Sequence, residues 1–204
     1  MNISAIAERI VAIHPTGYRT LVALAGAPAS GKSTLAQALV EALNAAGHGA
    51  VLVPMDGFHL DNRLLETRGL LERKGAPETF DAAGFIHLIG RLSQEAEIAI
   101  PLFDRDRDIA IAGAAMVGPA QRIAIVEGNY LLFDEAPWSR LSDFWDLSIR
   151  LDTAEDELER RLVQRWLEQG LDAQAASERA RRNDLANAVR IRERRLPADL
   201  LIET

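Results

Sequence analysis

The stretch "GAPASGKST", Gly26 to Thr34, carries two glycines, a lysine and three hydroxyl side chains, and matches the spacing G-x-x-x-x-G-K-[ST]. Gly26 and Gly31 let a backbone turn its N–H groups inward around anionic oxygens, with Ala27 and Ser30 completing the loop. Lys32 is spaced to reach the β- and γ-phosphates of a nucleoside triphosphate, and Ser33 to place its hydroxyl on Mg²⁺. Thr34 can cap the loop or touch the α-phosphate. A nucleoside triphosphate with Mg²⁺ is therefore expected here, for a kinase, a hydrolysing switch or a motor alike. An accidental glycine-rich turn would lack the flanking pattern found here, a hydrophobic strand before the loop and an amphipathic helix after it.

Two acids follow other apolar runs. Asp56 comes just after "VLVP" and Glu127 just after "IAIV". An acid past the carboxyl end of a strand can accept a proton from a substrate hydroxyl, as expected of Asp56, or hold Mg²⁺ or its water, as expected of Glu127. Asp56 could instead cap a turn, and Glu127 could cap a helix or join a salt bridge. His59, Arg63, Lys74, Asp81, Asp104, Arg105 and Asn129 are the candidate contacts for an acceptor, although Asp81 also fits a helix cap and Asp104 and Arg105 fit a salt-bridged turn. Arg161 and Arg165 lie four residues apart on one helix face, suited to closing over transferring phosphates, while Arg160 and Trp166 point elsewhere. Glu157 offers Arg161 an ordinary helical salt bridge. Asn183, Asp184 and Asn187 can cap, clasp or approach nucleotide.

The elements that must position these groups read as follows. "MNISAIAERIVAIHPTG" has an amphipathic helical period, Thr20–Ala25 is a strand, and "LAQALVEALNAAG" is a helix ended by Gly47. Ala50–Pro54 completes a βαβ unit with parallel strands. Residues 57–80 form a long loop with a helical turn in "LDNRLLETRG". A helix follows in "DAAGFIHLIGRLSQ", then a short strand at Ile98–Phe103, and "RDIAIAGAAMVG", whose alternation suits a strand and whose alanines do not, reads as a small hairpin. Ile123–Val126 and "FWDLSIRLD" are further strands. Thr153 is the expected N-cap of the next helix, with Asp156 in a capping-box position and Gly170 at its end. "DAQAASERARRNDLANAVRIRERR" reads as one last long helix and "LPADLLIET" as a terminal strand. The expectation is an α/β fold in a single domain, residues 1–204, with helices on both faces of a parallel sheet, a long insertion after the second strand and a lid around 153–187.

The chain has 204 residues and a formal net charge of −7, which disfavours nucleic acid as a partner, and its arginines cluster between Arg160 and Arg195. It has no cysteine, which excludes disulfide and thiolate chemistry, and His14, His48 and His87 lack companions for a zinc site. No apolar run suits membrane insertion or a secretory signal, so a cytoplasmic location is expected. An open sheet edge can serve a homodimer.

Together "GAPASGKST", "PMDGFHLDN", "RKGAPETFD", "PLFDR", "VEGNYLL", "RLVQRW" and "NDLANA" resemble the P-loop small-molecule kinases related to uridine kinase, pantothenate kinase and phosphoribulokinase. They look most like bacterial nucleoside or sugar kinases, including kinases associated with fructose transport. The resemblance implies a P-loop NTPase, a three-layer sandwich around a mostly parallel sheet with an acceptor-site insertion and a helical lid. It implies that Asp56 is the catalytic acid after the second strand, that Lys32 and Ser33 serve ATP–Mg²⁺, and that Glu127 is the acid after a later strand. Arg161 and Arg165 then resemble lid residues, and His59, Lys74, Asp81 and Arg105 fall in acceptor-side segments. The implied activity is phosphorylation of a small hydroxylated metabolite, with a fructose-like sugar or a nucleoside ahead of pantothenate. The alternative is an accessory ATPase of a transport system.

Overall fold

The computed structural model describes residues 2–204. Strand β1 (Thr20–Gly26) is buried along its whole length, and its alternate side chains feed two cores. Leu21, Ala23 and Ala25 face one side, Val22 and Leu24 the other. A strand apolar on both faces needs cover on both, and it receives helices. On one face lie α1 (Ile3–Val11) and α2 (Lys32–Ala45), contributing Ile6, Ile10, Leu35, Leu39 and Leu43. On the other lies α4 (Ala82–Gln94), whose Phe85, Ile89 and Leu92 pack with Tyr130, Phe133 and Trp138.

The other sheet strands are β2 (Ala50–Pro54), β5 (Ile123–Gly128), β6 (Leu147–Asp152) and β7 (Leu200–Glu203), in the order β2-β5-β1-β6-β7 and all parallel. The insertion between β2 and β5 carries the short helix α3 (Asn62–Thr67), α4, and an antiparallel hairpin of β3 (Ile98–Asp104) and β4 (Ile109–Val117). Its register shifts between Ile100 and Leu102, at Pro101, which has no N–H to give the ladder. No helix among the described residues is long and apolar enough to cross a membrane.

Two sequence expectations are corrected. Helix α5 (Glu155–Glu168) has Ala154 at its N-cap with no side-chain cap. Thr153 instead pairs its hydroxyl with that of Thr204 beside β7, and three acids in the first turn, Glu155, Asp156 and Glu157, complement the helix dipole. The last helix is not continuous α-helix: α6 (Ala173–Arg179) and α7 (Ala186–Glu193) are joined by a π-helical segment, Ala180–Leu185. α5 and these segments share a small core of Leu158, Leu162, Ala180, Leu185 and Ala188, against which Ala27 and Ala29 of the glycine-rich loop pack.

Arg19 is fully buried at the edge remote from that loop. Its five N–H groups donate to the carbonyls of Gln121, Leu92, Glu95, Ala96 and Gly118, so the side chain clasps the end of α4 to the return from β4. Arg19→Lys, with three donors, must orphan at least two of these acceptors. It is expected to cost at least about 2 kcal/mol in chemical denaturation. An unchanged unfolding midpoint would show that water replaces the missing donors.

Candidate active site

The carboxyl ends of β1, β2 and β5 converge, because Leu24 of β1 and Pro54 of β2 both stand opposite Glu127 of β5. From these ends leave the glycine-rich loop, the turn Met55–Phe58 that carries Asp56, and the Glu127–Asn129 segment. Gly31, at φ +90°, forms the N-cap of α2 with no side-chain cap, so the first N–H groups of the helix remain unsatisfied. Ala29 also has positive φ, 62°, and a Cβ built on Gly31 would meet nothing within 4 Å. An open cradle of backbone donors at a helix N-terminus, with Lys32 and Ser33 in its first turn, fits a polyphosphate.

A cleft of about 1020 Å³ spreads from this cradle. Its phosphate side is lined by Ala29, Gly31, Lys32, Ser33 and Thr34, with Asp56 and Asn129 between that side and the insertion. The opposite wall is His59, Lys74, Gly75, Phe103, Arg105, Asp106 and Asp108. Helical residues Arg165, Trp166, Gln169, Arg179 and Asp184 close the third side. Gly57 makes this assembly tight, since a Cβ there would lie 2.5 Å from the Pro101 carbonyl oxygen and push the hairpin away from the Asp56 turn.

Asp56 is partly exposed and ion-pairs with Arg105 at 2.8 Å. Glu127 is buried near Ser33, and its Oε2 has no hydrogen-bond partner. Burial pushes its carboxyl above the usual range, against the pull of nearby Lys32. An unpartnered carboxylate oxygen beside a serine hydroxyl is a donor set suited to a hard divalent cation. Among the described residues no three acids or histidines cluster as metal ligands, so such an ion would share its coordination with phosphate and water.

His59 lies between Phe80 and Phe103, at centroid distances of 4.0 and 4.7 Å, and its Nδ1–H donates to the Asp56 carbonyl at 2.8 Å. Burial lowers its pKa from 6.5, leaving Nε2 a neutral acceptor. The unfolded chain therefore takes up the proton first, and stability falls as pH drops below 6.5 toward the lower folded value. His59→Gln is expected to flatten that acid limb of thermal stability. An identical limb in the variant would assign it to other groups.

Four expected contacts are not brought to the cleft. Arg63 is exposed and bonds Asp61 at 2.9 Å, because a helix start leaves its side chain pointing to solvent. Asp81 is consumed as the cap of α4, accepting from the Gly84 N–H at 2.9 Å. Asp104 closes the hairpin turn by accepting from the Arg107 N–H at 3.0 Å. Arg161 turns to Glu157 at 2.6 Å and reaches the Ala29 carbonyl at 3.3 Å, bracing the loop from behind, whereas Arg165 and Trp166 face the cleft. Gly26, Ala27 and Ser30 underlie the loop, with Ser30 buried.

Sequence reasoning missed Trp166, Arg179, Asp106 and Asp108 as lining residues. Trp166 is fixed by its Nε1–H donating to Asp184 at 2.7 Å. Asn183, buried in the π-helical segment, donates to the Lys74 carbonyl at 2.8 Å and ties the helical side to the insertion. Helical spacing alone does not show which face a π-helical neighbour presents.

The "Phosphoribulokinase / Uridine kinase family" model matches residues 21–203. A Schizosaccharomyces pombe protein named "Putative uridine kinase C227.14" is 33% identical over 96% of this chain and 88% of its own length. The crystal structure of a "putative fructose transport system kinase" from Silicibacter sp. TM1040 is 58% identical, covers 99% of each chain and superposes with a TM-score of 0.95. Pantothenate kinase of Myxococcus xanthus is 36% identical over 72% of this chain, which spans only 49% of that relative. The parallel sheet, the phosphate cradle and the match over nearly the whole chain agree: this protein belongs to the phosphoribulokinase / uridine kinase family and is a P-loop kinase of small molecules.

Proposed function

We propose that the chain transfers the γ-phosphoryl group of Mg²⁺-bound ATP to a hydroxyl of a small metabolite, a fructose-like sugar or a nucleoside. The observation that carries this reading is the position of Asp56, on the turn after β2 and in one cleft with both the phosphate cradle and the insertion wall. Asp56 accepts the proton of the attacking hydroxyl as its oxygen bonds phosphorus and the bond to the ADP oxygen breaks. Lys32 and the α2 N-terminus hold the phosphates, and Arg165 meets charge developing on the transferred group. Ser33 and Glu127 would hold Mg²⁺, which when bound supplies charge neutralisation at the phosphate oxygens. His59, through Nε2, and Asn129 orient the acceptor.

A pantothenate-like acceptor is favoured by the 36% identity to a pantothenate kinase, over about half that protein, and by similar matches to others. A screen of sugars, nucleosides and pantothenate-like alcohols with ATP and Mg²⁺ decides the matter, reading ADP release together with product mass. One phosphorylated product is expected. ADP release that no alcohol stimulates, with no product of added phosphate mass, would favour an accessory ATPase.

A further inference from the structure

We infer that the acceptor is an uncharged polyol, and that the Asn62–Lys74–Asp108 ring is the element that discriminates against metabolites bearing a phosphate or carboxylate. This rests on the kinase reading above and narrows its substrate class.

The inference follows from where the insertion's cations have gone. Lys74 lies on the acceptor wall with its side chain only 11% exposed. Its ammonium donates to Asn62 Oδ1 at 2.6 Å, to the Asp108 carbonyl at 2.9 Å and ion-pairs with Asp108 Oδ2 at 2.8 Å. Three N–H donors meet three acceptors, so none is left for an incoming anion. Asn62 closes the ring by donating to Asp108 Oδ2 at 2.8 Å. Asp108 holds this place with a φ of 54°, an unusual conformation for a residue other than glycine. The outer side of the ammonium is taken by the Phe103 ring, 5.1 Å away.

The other cation of the wall, Arg105, is paired with Asp56. Drawing it to a substrate anion would only exchange one carboxylate for another. Lys74 and Arg105 face three carboxylates, Asp56, Asp106 and Asp108, and His59 adds no charge. With Asp56 counted, the insertion side of the cleft is net negative and both of its own cations are paired, so a second anion placed against it would meet repulsion there, while Arg165 and Arg179 stand on the helical side. What it offers instead is hydroxyl chemistry: carboxylate oxygens and His59 Nε2 accept, the Asn129 amide does both, and Phe103 supplies an apolar face.

The test uses matched pairs that share a hydroxyl and differ in charge: pantetheine against pantothenate, fructose against fructose 6-phosphate, and glycerol against glycerate. The neutral member is expected to have the higher kcat/KM, by about tenfold or more. Asp108→Asn, which removes one carboxylate and leaves the Lys74 charge uncompensated, is expected to shrink that ratio by about tenfold. Because the readout is a ratio within one preparation, partial misfolding does not imitate it. Preference for the anionic member would overturn the inference and leave the kinase standing. An unchanged ratio in the variant would overturn the role of the ring. If no member of any pair is phosphorylated, the kinase reading itself fails, and this inference with it.

Discussion

Asp56→Asn is expected to lower kcat by about 10²–10⁴-fold while the affinity for ATP stays within a few-fold. The amide matches the carboxylate in size, so the turn Met55–Phe58 and the His59 bond to the residue 56 carbonyl should persist. What disappears is the base proposed for the acceptor hydroxyl. The ion pair with Arg105 is also lost, but Arg105 is 60% exposed and such pairs contribute little to stability. Single-turnover transfer and calorimetric nucleotide binding separate the two effects. A folded variant that transfers at the original rate would remove Asp56 as the base.

Glu127→Gln is expected to move activity and stability in opposite directions. Transfer should fall by about 10²–10³-fold, with Mg²⁺ required at higher concentration, because the buried acid beside Ser33 is lost. The ligand-free protein should instead gain about 1 kcal/mol, or about 2–4 °C in Tm. The gain comes from removing a carboxylate that burial disfavours and whose Oε2 has no partner. Sign matters for pH as well. With its pKa above 4.5 in the folded chain, Glu127 favours folding below that value and loses this contribution as pH rises through the folded pKa. A variant that is both less stable and fully active would contradict the assignment.

The contrast between these groups shows what the sequence can tell. The cradle was legible because its determinants are contiguous: strand, glycines, lysine, serine and helix sit within one short stretch. Asp56 and Glu127 were legible as acids at strand ends, where the sheet edge gathers them. Lys74 read as a basic candidate contact, yet its charge is already spent on Asp108, from a distant part of the insertion, and no local pattern announces that pairing. Arg161 and Trp166 exchanged their expected places because the loop's Ala27 and Ala29 decide which face of α5 is inward. The strand order, with β5 between β2 and β1, is likewise a non-local outcome.

Arg19 closes the long excursion that begins after Pro54 and ends where Gly118 and Gln121 lead back into the sheet. At its entrance, Pro54 stands in register with Glu127. An excursion fastened at both ends can be rewritten in its middle at small cost to the phosphate loop, so catalyst and selector can diverge separately. Exchanging residues 59–80 or 102–115 between relatives is then a graft onto a fixed frame, in which a change of appetite leaves the ATP machinery in place.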